Sequence, residues 1–509
     1  MSDWSAGYVT DIPYTYGVYR EVTPAVLSFA ALVAGVAAPD ANGPLTYCEL
    51  GCGQGYSSNI VAAANPNVEV HANDFNPTHI AGARALAAAA GTHNVHFYDS
   101  SFAEFAADET LPEFDIIALH GIYSWINADN RRHIVDFIRK RLKVGGLAYI
   151  SYNALPGYAG VMPLRRLLAD RAEAAHGSTV IRIEQAVTYM QQLADANPIY
   201  FAVSGIPEHF KKIKDSGRDY VAHEYFNRDW TAFYHADVAA DLAEAKLSYV
   251  GPADLLNAVD AVNLTAEQRA LLATATTVTE RETLRDYLVN QMFRRDVFVK
   301  GAVPLDTYQA RDRWLKMRFV LTTGRADVPM AVKGVMGEAT LQEDVYAPLL
   351  DALADGARTV AQLVADPKVA ALGWGRLQQA LTVLVGGAQL QPALDEAGDA
   401  ARLVRTKAFN RAVIERARSS DQWRFLTSPV TAGAIFLGRT SQLFLLARED
   451  GVADPPAFVC ETLLAHGVGL TKDDGTALST QEENLAELRS LFEIFNEKQL
   501  PLLQSLGLA

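Results

Sequence analysis

A doubly wound α/β fold is what the sequence predicts for residues 1–160, and three observations predict it. Leu45 to Leu50 is a short apolar run that ends in Gly51-Cys52-Gly53-Gln54-Gly55, as a buried parallel strand entering a tight turn would. Val68 to Asn73 is a second such run, closed by Asp74 about 20 residues past the glycines. From residue 45 to about 153, strand-like and helix-like segments alternate, the pattern of a parallel sheet with helices on both faces.

In chain order, strands are expected at Leu45 to Leu50, Val68 to Asn73, Val95 to Tyr98, Phe114 to His120 and Leu147 to Tyr152. Helices are expected at Ser57 to Ala64, Thr78 to Ala90 and Asp129 to Leu142. In such a sheet the ligand crevice lies beyond the carboxyl ends of the strands, so the residues just after each strand are the candidates.

After the first strand, Gly51, Gly53 and Gly55 remove the side chains that would keep the backbone away from a ligand. The dinucleotide fingerprint is G-x-G-x-x-G, and here the third glycine comes one residue early, with Tyr56 in its place. Glu49, just before the loop, would repel a pyrophosphate but suits a cofactor that carries an ammonium and a sulfonium. Asp74, followed by Phe75, ends the second strand, where a carboxylate accepts both hydroxyls of a ribose. Together these residues read as an S-adenosylmethionine site. The bland alternative is a tight strand-to-helix turn with incidental acids.

After the third strand come Asp99 and Ser100, where a carboxylate can accept from an adenine amino group; Asp99 reads equally as a helix N-cap. The fourth strand runs into His120-Gly121-Ile122-Tyr123-Ser124-Trp125, which puts an imidazole, a phenol and an indole at the mouth of the crevice. Such groups are often core lids, but their position favours an active-site lining. The fifth strand adds Tyr152 and Asn153 to the same rim. Before the first strand, Tyr8, Tyr14, Tyr16 and Tyr19 make an arm too aromatic for a disordered leader. It either closes over the crevice or straps the outside of the sheet.

A chain of 509 residues exceeds one core, and two to four domains are expected. It carries 45 Lys and Arg against 59 Asp and Glu, a net charge of −14, which speaks against a nucleic-acid partner. The dense basic cluster Arg131, Arg132, Arg139, Lys140, Arg141 and Lys143 reads as a solvated helix face. No run approaches the roughly 20 apolar residues of a membrane span. Met1-Ser2-Asp3-Trp4 lacks the marks of a signal peptide, so a cytoplasmic location is expected. Cys48, Cys52 and Cys460 can build neither a disulfide framework nor a metal site, and no metal is expected.

These residues amount to a resemblance. The arm Asp11-Ile12-Pro13-Tyr14 through Tyr19 with Thr23-Pro24, the loop Glu49 to Gly55 with Asn59, the His120 to Trp125 motif and Ser151 to Gly157 look like class I methyltransferases with an appended methyltransferase regulatory domain. Among these are the rickettsial-type protein-lysine methyltransferases. The likeness continues in His223-Glu224-Tyr225-Phe226, Leu247 to Pro252 and Phe293 to Val297, and most of the chain is covered. Tyr56-Ser57-Ser58 departs from the smaller residues expected before Asn59. The resemblance implies a Rossmann-like catalytic domain at 1–160, a mostly helical middle region and dimerisation candidate at 161–330, and a C-terminal domain at 331–509. In that last part, helices around Tyr346, Val360 and Leu377, followed by Gly386-Gly387 and a hairpin, read like a winged helix. Its helices carry few basic residues, so a scaffold or protein-binding use is favoured over DNA.

The chemistry implied is in-line methyl transfer from S-adenosylmethionine to a nucleophile. A lysine acceptor must first be neutral, which desolvation and a hydrogen-bonding phenol or imidazole favour. Tyr14, Tyr19, His120 and Tyr123 are the candidates, with Trp125 as a wall and Asn153 as a polar orienter. Cofactor contacts are expected from Glu49, Gly51, Gly53, Gly55, Asn59, Asp74, Phe75, Asp99, Ser100 and His120. Three readings stand: a protein-lysine methyltransferase, a small-molecule N- or O-methyltransferase, and a binding protein that retains the fold.

Overall fold

Five of the apolar runs form parallel strands: β1 (Leu45–Leu50), β2 (Val68–Asp74), β3 (Val95–Asp99), β4 (Phe114–Leu119) and β5 (Leu142–Asn153). The computed structural model describes residues 8, 9, 12, 15–471 and 477–509. Strand β5 starts at Leu142 rather than Leu147, with Gly145 and Gly146 inside it, and a register shift falls in β4 between Phe114 and Ile116. Helices α1 (Pro24–Val33), α2 (Tyr56–Ala64), α3 (Pro77–Ala90), α4 (Phe102–Ala107) and α5 (Ala128–Arg141) alternate with the strands. Their starts follow local chemistry. Asn76 caps α3 by accepting from the Thr78 N–H, with Pro77 in the first turn. Asn127 caps α5 by accepting from the Asn130 N–H, and Arg139, Lys140 and Arg141 complement the dipole at its other end.

Part of the basic cluster serves packing as well as solvation. The Arg131 guanidinium lies 5.0 Å from the Phe233 ring, and Arg141 donates to the carbonyls of Leu111 and Asp108 at 2.6 and 2.7 Å.

The sheet takes two further strands from the stretch expected to be helices and turns. These are β6 (Leu247–Pro252) and β7 (Phe293–Lys300), which give a seven-stranded order β3-β2-β1-β4-β5-β7-β6. Strand β7 runs antiparallel to β5, pairing Asn153 with Phe293 through Leu147 with Val299. Its charges concealed it. Arg294 is buried and donates to Asp286 (2.5 Å), Glu282 (2.8 Å) and Asp296 (2.8 Å). Asp296 also accepts from the Tyr152 hydroxyl (2.7 Å), so one guanidinium ties β5 and β7 to the helix Val278–Val289.

Downstream lie β8 (Arg318–Leu321), the hairpin β9 (Ala331–Gly334) and β10 (Gly337–Thr340), β11 (Arg358–Thr359), β12 (Leu390–Ala393), and the hairpin β13 (Phe425–Thr427) and β14 (Ala434–Phe436). The three helices of the winged-helix reading are found at Glu343–Ala352, Val360–Ala365 and Trp374–Gly386. The hairpin expected after Gly386-Gly387 is not. Strand β12 pairs instead with the upstream β8, Leu390 opposite Leu321, and the chain then enters the helix Asp399–Arg416.

One apolar core runs from β1, β4 and β7 through α1 into these helices, with Phe29 edge-on to Trp314 (5.4 Å) and Phe319 (5.1 Å). Among the described residues no helix is long and apolar enough to cross a membrane.

Breaking a buried ion network by removing one partner typically costs about 3–5 kcal/mol, because the remaining charges stay desolvated. Arg294→Met is therefore expected to lower the urea midpoint substantially. A midpoint equal to the parent's would show that the three carboxylates do not depend on this guanidinium.

Candidate functional site

The loop after β1 is shaped by backbone conformations that only glycine adopts readily: φ is 69° at Gly51, 53° at Gly53 and 65° at Gly55. A side chain at Gly51 would also overlap Ile122, and one at Gly55 would meet Ala83 Cβ at 2.5 Å. The loop is pinned by Asp74, whose Oδ2 accepts from the Gly53 N–H at 3.0 Å. The other oxygen accepts from the Asn76 N–H (2.9 Å) and meets His79 Nδ1 (3.2 Å). Asp74 is thus held at the carboxyl edge of β2, where it faces the crevice.

Glu49 is buried near the end of β1, just before the loop, and accepts from the Ser58 hydroxyl. Burial pushes its carboxyl up to about 7, against the Ser58 hydrogen bond and with the help of nearby Asp74. A cationic ligand beside it would favour the ionised form.

These residues line a cavity of about 220 Å³ beyond the strand ends. Gly51, Gly53, Asp74, Phe75 and Ser100 form part of its wall, with Asn73 between them. Three buried polar atoms on that wall have no hydrogen-bond partner among the described residues: Asn73 Oδ1, Ser100 Oγ and Trp125 Nε1. Buried polar groups are normally paired. Unpaired acceptors and donors converging on one cavity, beside two carboxylates, fit a polar, positively charged nucleoside such as S-adenosylmethionine.

At the other end, His120 lies stacked under Tyr19, ring centroids 3.4 Å apart, and shares a hydrogen bond with the Tyr149 hydroxyl through Nδ1 (2.7 Å). Burial, with Arg295 adding like charge, lowers its imidazole to about 3, so the ring is neutral at physiological pH. Trp125 and the half-buried Asp229 also line the cavity.

The arm does close over the crevice. The Val9 N–H donates to Asn227 Oδ1 (2.9 Å), the Ile12 carbonyl accepts from His223 Nε2 (3.0 Å), and Tyr8 stands edge-on to Phe75 (5.7 Å). Tyr14 lies outside the described residues.

Other candidates are placed elsewhere. Tyr123 is buried with its hydroxyl donating to Asp241 (2.7 Å), which fastens the helix His235–Ala243. Asn153 is buried between Ser124, which its N–H meets at 2.8 Å, and Phe233, whose N–H its carbonyl accepts at 2.9 Å. The Asn59 amide donates to the carbonyls of Gly55 (2.9 Å) and Ala83 (3.1 Å), bracing the loop from behind. Gly55 likewise faces away from the cavity, toward Ala83 of α3 and Phe97 of β3. Asp99 is exposed, and the cap of α4 is Ser101, in a capping box with Glu104. Asp229 and Asn73 were not singled out from the sequence. Asn73 could have been, as the neighbour of Asp74 at a strand's carboxyl end; Asp229 sits in no motif.

A methyltransferase domain model matches residues 48–148, and a predicted methyltransferase regulatory domain model matches residues 217–300. The uncharacterized protein sll1526 of Synechocystis sp. is 41% identical over 507 residues, covering 99% of this chain and 100% of that protein. Protein RP789 of Rickettsia prowazekii is 24% identical over 56% of this chain and 51% of its own length. Among solved structures, PKMT2 from Rickettsia typhi in complex with AdoHcy superposes with a TM-score of 0.70 at 17% identity, covering 98% of this chain and 100% of that one.

Because Glu49 titrates near neutrality, S-adenosylmethionine is expected to bind more tightly as pH rises from about 6 to 8, with release of protons measurable as a buffer-dependent binding enthalpy. Glu49→Gln should flatten that dependence. An equally steep profile in the variant would assign it to another group.

Proposed function

Because this chain belongs to the S-adenosylmethionine-dependent methyltransferases that carry a methyltransferase regulatory domain, we propose that it methylates lysine side chains of a protein substrate. S-adenosylmethionine, when bound, supplies an electrophilic methyl on a sulfonium. Glu49, Asp74, Ser100, Phe75 and the glycine loop are the residues that would hold it.

The observation that carries the reading is the lining of the cavity around His120, where a neutral imidazole is stacked on a phenol, with the Trp125 indole and the Asp229 carboxylate also lining the cavity. A carboxylate attracts a cationic side chain. The aromatic wall then strips water from its ammonium, which favours the neutral amine that attacks. With Nδ1 engaged by Tyr149, the other ring nitrogen of His120 is the one left to hydrogen-bond the amine and orient it. Methyl transfer disperses charge, so a dry, hydrogen-bond-lined site serves it better than a strongly charged one. The resemblance to the rickettsial-type protein-lysine methyltransferases supports the same acceptor.

Incubation with radiolabelled S-adenosylmethionine and a whole-cell lysate is expected to place label in protein, on lysine after hydrolysis. Label recovered only in small molecules would establish the small-molecule reading instead. His120→Ala is expected to lower turnover about 100-fold, the scale of a lost orienting contact, while AdoHcy affinity stays nearly constant. A comparable loss of AdoHcy binding would move His120 to the cofactor contacts.

A further inference from the structure

We infer that the C-terminal segment completes the cofactor site, with Trp423 as the positioning residue that holds the part of the cavity wall formed by Tyr16 and Tyr56. Both tyrosines line the cavity, Tyr16 from the arm and Tyr56 from the start of α2, directly after the glycine loop. Trp423 does not line it and stands behind them. Its ring lies 4.1 Å from Tyr16 and 5.1 Å from Tyr56 between centroids, while Tyr16 and Tyr56 meet edge-on at 6.3 Å.

Trp423 is itself firmly placed. Its carbonyl accepts from the Gln442 side-chain amide (2.5 Å), a buried group that also donates to Leu437 (2.8 Å). The Arg416 guanidinium lies 5.2 Å from the indole centroid, a cation–π arrangement. Two residues on, the Phe425 backbone takes both roles with one hydroxyl: its carbonyl accepts from the Tyr56 O–H, and its N–H donates back at 3.2 Å. Phe409 of the helix Asp399–Arg416 stacks on the same Tyr56 at 6.4 Å, and that helix packs on α2 and α3.

Tyr16 has no such support of its own. Residues 15–19 form neither helix nor strand, so the ring is held only by what it packs against. Removing the indole would leave Tyr16 without its nearest aromatic partner and loosen the wall beside Gly53, without touching Asp74 or Glu49. The same contact accounts for the bulk of Tyr56, which departs from the smaller residues expected after the loop. It is the socket for a segment 369 residues downstream.

The test is AdoHcy titration calorimetry on the full chain. Trp423→Ala is expected to weaken AdoHcy about tenfold, the scale of lost aromatic packing, and Trp423→Phe to recover most of it. Tyr56→Phe, which keeps the ring and loses both bonds to Phe425, should weaken AdoHcy about threefold and keeps the inference testable if the Trp423 variants fold poorly. Unliganded melting temperatures are recorded for each variant. A parental AdoHcy Kd in Trp423→Ala and Tyr56→Phe overturns the proposal. So does a loss that Trp423→Phe does not rescue and that tracks a lowered melting temperature, since that pattern belongs to a structural residue.

Discussion

The hydrogen bond from the Gly53 N–H to the Asp74 carboxylate is the interaction on which the site depends. It exists because β1 and β2 run parallel in a register that sets Leu50 opposite Asn73, so the loop leaving one strand passes the last residue of the other. The Cys52 N–H extends that ladder by donating to the Asn73 carbonyl at 2.9 Å. Left-handed glycines let the chain turn there at no steric cost, and the turn presents backbone rather than side chains to the crevice. Asp74 is then oriented by two backbone donors before any ligand arrives, the kind of preorganisation that spares a binding site the cost of ordering it.

Burial does the remaining tuning. Glu49 and His120 are displaced in opposite directions by the same desolvation, the carboxyl upward and the imidazole downward, since each loses most by carrying charge away from water. The glycine-loop end of the cavity keeps a carboxylate that a cation can ionise, and the His120 end keeps an uncharged ring. That division suits transfer of a methyl from a sulfonium to a neutral nucleophile.

Much of this was legible in the sequence because it is local. The strand ends, the glycine spacing, the acid after β2 and the aromatic motif after β4 each lie within a few residues, and the period of apolar residues reports them directly. Strands β6 and β7 were not legible in the same way. Arg294 and Asp296 interrupt the apolar pattern of a buried strand, and Asp286, Glu282 and His235 are brought around them only by folding. Tyr123 and Asn153 were misplaced for a related reason: motif position sets which strand end a residue occupies, but Asp241, Ser124 and Phe233 decide which way it packs.

By itself, then, the sequence determined the glycine-loop side of the cavity, since glycine conformation, strand alternation and the placing of Glu49 and Asp74 are properties of short stretches of chain. Only the tertiary structure decided the aromatic side of the cavity and its roof. Tyr19 on His120, Tyr8 on Phe75, Asp229 at the wall and Trp423 behind Tyr16 join residues far apart in the chain. No periodicity encodes such contacts. They arise from burying aromatic rings wherever the folded sheet leaves them a complementary surface.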